Sequence, residues 1–202
     1  MLSAFLNAFK IKELRNKILF TAGVIVLCRI AANIPCPGVD TKNLKTYFDS
    51  FGADSAAGQF MGMFDLFSGG ALQQFAIGAL GIMPYISASI IMQLLVPVVP
   101  SLEKLSREGE VGRGRINQYT RYLTILICIV QGAMAAVAMT TPSNLGLPAP
   151  DPAFPLVTNP GFGFIAMSVC ILTAGTMILV WLGERITEHG IGNGVSIIIT
   201  IN

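Results

Sequence analysis

The chain has 202 residues, 53% of them apolar and only 12% charged, with a net charge of +2 and a mean hydropathy of +0.67. Soluble domains carry about 25% charged residues, so this composition lacks the polar shell that a water-soluble core of this length needs. It excludes a soluble enzyme domain, a disordered tail, a disulfide-rich secreted module and, with so small a net charge, a nucleic-acid binder.

Residues 1–17 set Leu2, Phe5, Leu6 and Phe9 at helical spacing beside Lys10, Lys12, Arg15 and Lys17. This predicts an amphipathic segment lying in the inner membrane interface or packed on protein. A cleaved signal peptide is disfavoured, because Arg29 interrupts the apolar stretch and three further spans follow.

A hydrocarbon core about 30 Å thick takes roughly 20 residues of helix. The first span is 18–34, and snorkelling is the expected role of its one charge, Arg29. Residues 35–57 read as an external loop in which Cys36 stands between Pro35 and Pro37, with a Cys28–Cys36 bridge disfavoured. The region Gly58–Gly81, whose 58–74 part reads as a segment of its own, is apolar apart from Asp65 and a few amides, yet Gly58, Gly62, Gly69, Gly70, Gly78 and Gly81 break it. Each glycine costs a helix interior about 1 kcal/mol relative to alanine. A short helix around Phe60–Phe67, a break at Gly69–Gly70 and a second span at 75–99 are therefore expected. Irregular backbone at membrane depth survives only where protein buries it or where it lines an aqueous cavity. Two readings stay open on the residues alone: a transport path, or a re-entrant loop that only packs. Within the second span Pro84 is expected to bend the helix, and Ser87, Ser89 and Gln93 to seek protein or water partners.

A loop at 100–121 separates this from a third span at 122–141, an external loop at 142–161 and a fourth span at 162–183. After the loop 184–194, a fifth apolar run starts at Val195 and stops at Ile201, so the chain is expected to be incomplete. Basic residues set the orientation. Leaving out Arg29, ten lie in the first segment, the 100–121 loop and the turn after span four, against Lys42 and Lys45 on the other side. The N-terminus is expected to be cytoplasmic.

Reactive chemistry is sparse. His189 is the only histidine and reads as a solvated turn residue; no cysteine pair has metal-ligand spacing. No histidine or lysine lies in a span to activate a serine, and Gly190–Gly194 lacks the lysine of a phosphate-binding loop. A helix break is the better reading there. The spans hold no carboxylate, which disfavours an ion-coupled carrier built on the broken helix, the alternative reading of function.

Four stretches carry a specific resemblance. FSGGALQQFAIGALGIMPYISASIIMQLL at Phe67–Leu95 closely resembles the plug and second helix of the SecY family of bacterial protein-conducting channels. EGEVGRGRINQYTRY at Glu108–Tyr122 resembles the family's first cytoplasmic loop, and GERITEHGIGNGVS at Gly183–Ser196 its signature before the fifth helix. IPCPGVD at Ile34–Asp40 is similar to its segment after helix one, with Cys36 where valine or isoleucine is usual.

The resemblance implies an all-α, polytopic transmembrane bundle with a broken plug and second helix. It would be the N-terminal half of a ten-helix channel built as two inverted repeats. It implies a plug containing Phe60, Met61, Met63, Phe64, Phe67, Gly69 and Gly70, and an apolar pore ring with Ile82, Ile86, Val195 and Ile199. A basic cytoplasmic loop would carry Arg107, Arg113, Arg115 and Arg121. The implied partners are SecE, SecG, preproteins and membrane lipids, with SecA or the ribosome docking mainly on the half that this chain lacks. No cofactor, metal, catalysis or nucleic acid is expected. The implied location is the bacterial plasma membrane.

Overall fold

A computed structural model describes residues 11–201 except 51–57, 60, 61, 64, 66, 67 and 143–154. Residues 1–10, which hold most of the amphipathic segment, lie outside the described residues, as do Phe60, Met61, Phe64 and Phe67 of the plug. Among the described residues the long elements are α1 (Lys12–Asn33), α2 (Thr41–Ser50), α3 (Met83–Val98), α4 (Pro100–Arg107), α5 (Glu110–Thr140), α6 (Phe162–His189) and α7 (Gly194–Ile201). Two isolated antiparallel bridges, Pro35 to Ala76 and Val39 to Val157, are the only β pairing among them. The fold is all-α.

The broadest helix pairing is α5 on α6, and the reason is in the residue sizes. α5 buries Thr120, Thr124, Cys128, Gly132 and Ala136, one small residue every four positions. A stripe of small residues lets two backbones approach closely in a medium that offers no hydrophobic drive between helices. At Gly132 a Cβ would stand 3.6 Å from the Val169 backbone of α6. The threonines satisfy themselves within the helix: the Thr124 hydroxyl donates to the Thr120 carbonyl at 2.8 Å. α1 packs on α6 through Val24 and Cys28, its Ala32 lies against Ala71 and Ala76, and α7 folds back on α6 after the break at 190–193.

By length and composition, α5 and α6 are apolar and long enough to cross a membrane, and the bent pair α3–α4 qualifies as a third crossing. α1 is long, but its 22 residues include Lys12, Glu13, Arg15, Lys17 and Arg29.

Four boundaries differ from the hydropathy reading. The second helix starts at Met83, not Phe75, because Phe75 (φ +45°) and Gly81 (φ +57°) take left-handed conformations that no helix accommodates. Pro84 therefore sits in the first turn of α3, where its missing N–H is no loss, and it bends nothing. The bend falls instead at Val99, held extended (φ −100°, ψ 113°) by the proline that follows it, and the axis turns 97° there. The 100–121 stretch is mostly α4 and the first turns of α5 rather than loop. Lastly, the 35–57 loop contains α2, capped by Asp40: its Oδ1 accepts from the Lys42 N–H at 3.0 Å.

Candidate functional site

Three features meet in the bundle: a short helical segment ending at Gly69–Gly70, the irregular stretch 71–82, and a cavity beside α3. The described positions 58, 59, 62, 63, 65 and 68 are helical, and the segment ends where Gly69 (φ +67°) and Gly70 (φ +84°) turn left-handed. An L side chain is strained at those angles. Asp65 ties the turn: its carbonyl accepts from the Gly70 N–H and the Ser68 hydroxyl, each at 3.1 Å. Its carboxylate accepts from the Gln73 N–H at 3.4 Å, and Ser68 Oγ accepts from the Leu72 N–H at 3.2 Å.

The stretch 71–82 is irregular and buried. Ala71, Phe75 and Ala76 have no exposed surface, so its backbone needs partners within the protein. The Cys36 N–H donates to the Phe75 carbonyl at 3.0 Å, and the Ile77 N–H donates to the Ile34 carbonyl at 2.9 Å. On its other side the stretch lies directly on α6, where a Cβ at Gly175 would overlap the Ile77 carbonyl oxygen.

The cavity, about 510 Å³, is walled by α3, α5, the last turns of α6 and α7. Along one wall Ile86, Ile90, Val195 and Ile199 stand among Ser89, Gln93 and Ser196. Asn117, Arg121, Glu184, Thr187, Glu188 and Asn193 form a polar one at the end of the bundle that carries the basic residues. Three of the four ring candidates, Ile86, Val195 and Ile199, thus share one cavity. Ile82 does not line it. It is 2% exposed and packs with Val24, Cys28, Leu179, Leu182, Ile186 and Ile198, in the cluster that backs Ile86 and Val195.

Of the basic candidates, Arg107 pairs with Glu103 on its own helix at 2.6 Å, and Arg113 and Arg115 are exposed in the first turns of α5. Arg121 is different. Its Nε and Nη2 donate to the two carboxylate oxygens of Glu184 on α6, at 2.9 and 2.6 Å, across the cavity wall. Glu184 was not singled out from sequence, since 63 positions separate the pair. Arg29, expected to snorkel outward, instead points into the bundle: Nη1 donates to the Gly69 carbonyl at 3.3 Å and Nη2 to the Ile201 carbonyl. His189 is the last residue of α6, 61% exposed beside Glu188. Among the described residues no His, Cys, Asp and Glu side chains converge as a metal site, and all four cysteines are free.

Comparison with known proteins adds a family. The SecY family profile matches residues 76–202. The protein translocase subunit SecY of Streptomyces coelicolor is 47% identical over 208 aligned residues, covering 100% of this chain and 45% of that protein. The corresponding subunit of Aquifex aeolicus is 44% identical, covering 98% and 44%. Two solved channel structures share the fold at 18% identity and a TM-score of 0.58, covering 93% of this chain. One is Sec61 in the canine ribosome–channel complex from the endoplasmic reticulum, matched over 36% of its length; the other, a protein-conducting channel, is matched over 35%. The chain spans about half the length of the curated relatives it matches.

Proposed function

The chain belongs to the SecY family, and from that premise we propose that it supplies the N-terminal half of the channel of a general secretory translocon. In this reading the whole channel passes unfolded preproteins across and into the bacterial plasma membrane. The observation that carries it is the cavity in which the apolar side chains of Ile86, Val195 and Ile199 converge from two helices, with a polar wall at one end. An extended chain entering from the polar side meets hydrated groups first and a narrow apolar constriction next. Such a constriction dewets and resists ions, yet yields to a polypeptide. Ile82, at the N-cap of α3 and four residues before Ile86, anchors that constriction to the helices behind it.

The segment ending at Gly69–Gly70 acts as the plug, with Met63 on its exposed face. The basic end of the bundle, with Arg107, Arg113, Arg115 and Arg121, faces the cytoplasm, and the N-terminus lies there too. SecE and SecG flank the assembled channel within the lipid, and SecA or the ribosome engages it largely through parts outside this chain. No bond-making step falls to these residues; the motor lies elsewhere. The carrier alternative is set aside, because the relatives are translocase subunits.

Replacing Ile86 and Val195 with glycine in a full-length channel tests the reading. The expected result is a higher resting conductance and export of precursors with defective signal sequences. Wild-type conductance and stringency in the double variant would remove both side chains from the constriction.

A further inference from the structure

We propose that Arg29 is a positioning residue that seats the plug by holding its Gly69–Gly70 turn against the bundle; the inference rests on reading that segment as a plug. Arg29 is the one charge in the apolar body of α1, and carrying it inward costs desolvation that snorkelling avoids. Its side chain nevertheless turns inward, and Nη1 reaches the Gly69 carbonyl 40 residues away. A guanidinium–carbonyl bond is charge-assisted, stronger than a neutral one and stronger again where water is scarce.

What it grips is a rigid handle. Gly69 and Gly70 hold the left-handed turn, and Asp65 and Ser68 knot the flanking backbone. A pull on the Gly69 carbonyl therefore acts through the bonds that join Asp65, Ser68, Gly70, Leu72 and Gln73 rather than on one peptide. The base of the arginine is fixed as well: Asn33 Nδ2 donates to the Arg29 carbonyl at 2.8 Å, one turn on.

The test uses full-length channels in two assays. The first follows labelling of Ala71→Cys, fully buried while the turn is seated, by a membrane-impermeant maleimide added from outside; the second is resting conductance in planar bilayers. Loss of one such bond predicts roughly tenfold faster labelling in Arg29→Met, a factor equivalent to about 1.4 kcal/mol, together with raised conductance. Arg29→Lys, which keeps a cationic donor, should return both readings toward wild type. That rescue separates a donor from a space-filler, because methionine fills the site equally well. Arg29→Gln serves as a second variant should the methionine channel not assemble, with the same outcomes expected.

Deletion of Gly62–Gly70 is the reference. If the deletion leaks while Arg29→Met and Arg29→Gln label and conduct like wild type, the plug stands and the seat is overturned. If the deletion itself does not leak, the plug reading falls and the seat falls with it.

Discussion

Cys36 lies where the turn after α1 meets α6, its Sγ 3.8 Å from the Ser168 hydroxyl oxygen. Burial pushes its thiol above the ordinary value of 9.0, and the Ser168 contact offsets this only in part. Because the folded value exceeds the unfolded one, this stabilisation is complete below about pH 9 and fades as pH rises through the folded value. Thermal unfolding of the channel in detergent should therefore show an alkaline loss of stability that Cys36→Ser reduces; superimposable pH curves for the two proteins would refute it. Arg121 and Glu184 make a different kind of contact, half in water and bidentate. Exposed pairs are worth about 0.2–1 kcal/mol, and the forked geometry with Glu184 only 21% exposed favours the upper end. A double-mutant cycle with Arg121→Ala and Glu184→Ala should return a coupling of about 1 kcal/mol. Zero coupling would mean that the pair fixes orientation without contributing to stability.

Elements meet where side chains are absent. Gly175 of α6 faces the Ile77 carbonyl, a backbone group that cannot rotate away as a side-chain end can. Gly175→Ala should therefore cost about 1–3 kcal/mol through overpacking and push 71–82 off α6. Gly163→Ala, on the same helix with open space around it, should be neutral or slightly stabilising. Equal melting temperatures for the two variants would show that the stretch yields easily. The same elements show what was legible beforehand. Apolar runs reveal helices that lipid or neighbours must cover, so 162–183 and the start at Val195 fall close to α6 and α7. Glycine spacing likewise anticipates the Gly69–Gly70 break. Hydropathy is blind to helix that continues into water, which hides α2, α4 and the first turns of α5. The Asp40 cap was the available signal for α2. A run of apolar residues also cannot distinguish helix from buried irregular backbone, which is why 75–82 reads as span. The pairing of Arg121 with Glu184 and the reach of Arg29 to Gly69 depend on which helices become neighbours, and local spacing carries none of that.

At the scale of the molecule, the two ends of the bundle differ in charge. The Arg121–Glu184 contact places the start of α5 beside the end of α6, so Arg113, Arg115, Arg121 and Arg185 gather at one end. Leu44 of α2 shares a cluster with Phe164 at the start of α6, which puts Lys42 and Lys45 at the other. The fold thus keeps apart the two basic sets that the ten-to-two count separates along the chain. Orientation follows the richer side, because translocating clustered Lys and Arg across the membrane is disfavoured. Single cysteines test this directly. Arg113→Cys and Glu188→Cys, both at exposed positions, should react with a charged, membrane-impermeant reagent only in inverted vesicles, and Lys45→Cys only in intact cells. Background should be low, since Cys28, Cys36 and Cys128 are buried and Cys170 lies in the apolar body of α6, out of reach of a charged reagent. Labelling of position 113 from outside intact cells would invert the assignment. It would also place the polar wall of the cavity on the exterior and so reverse the proposed direction of entry.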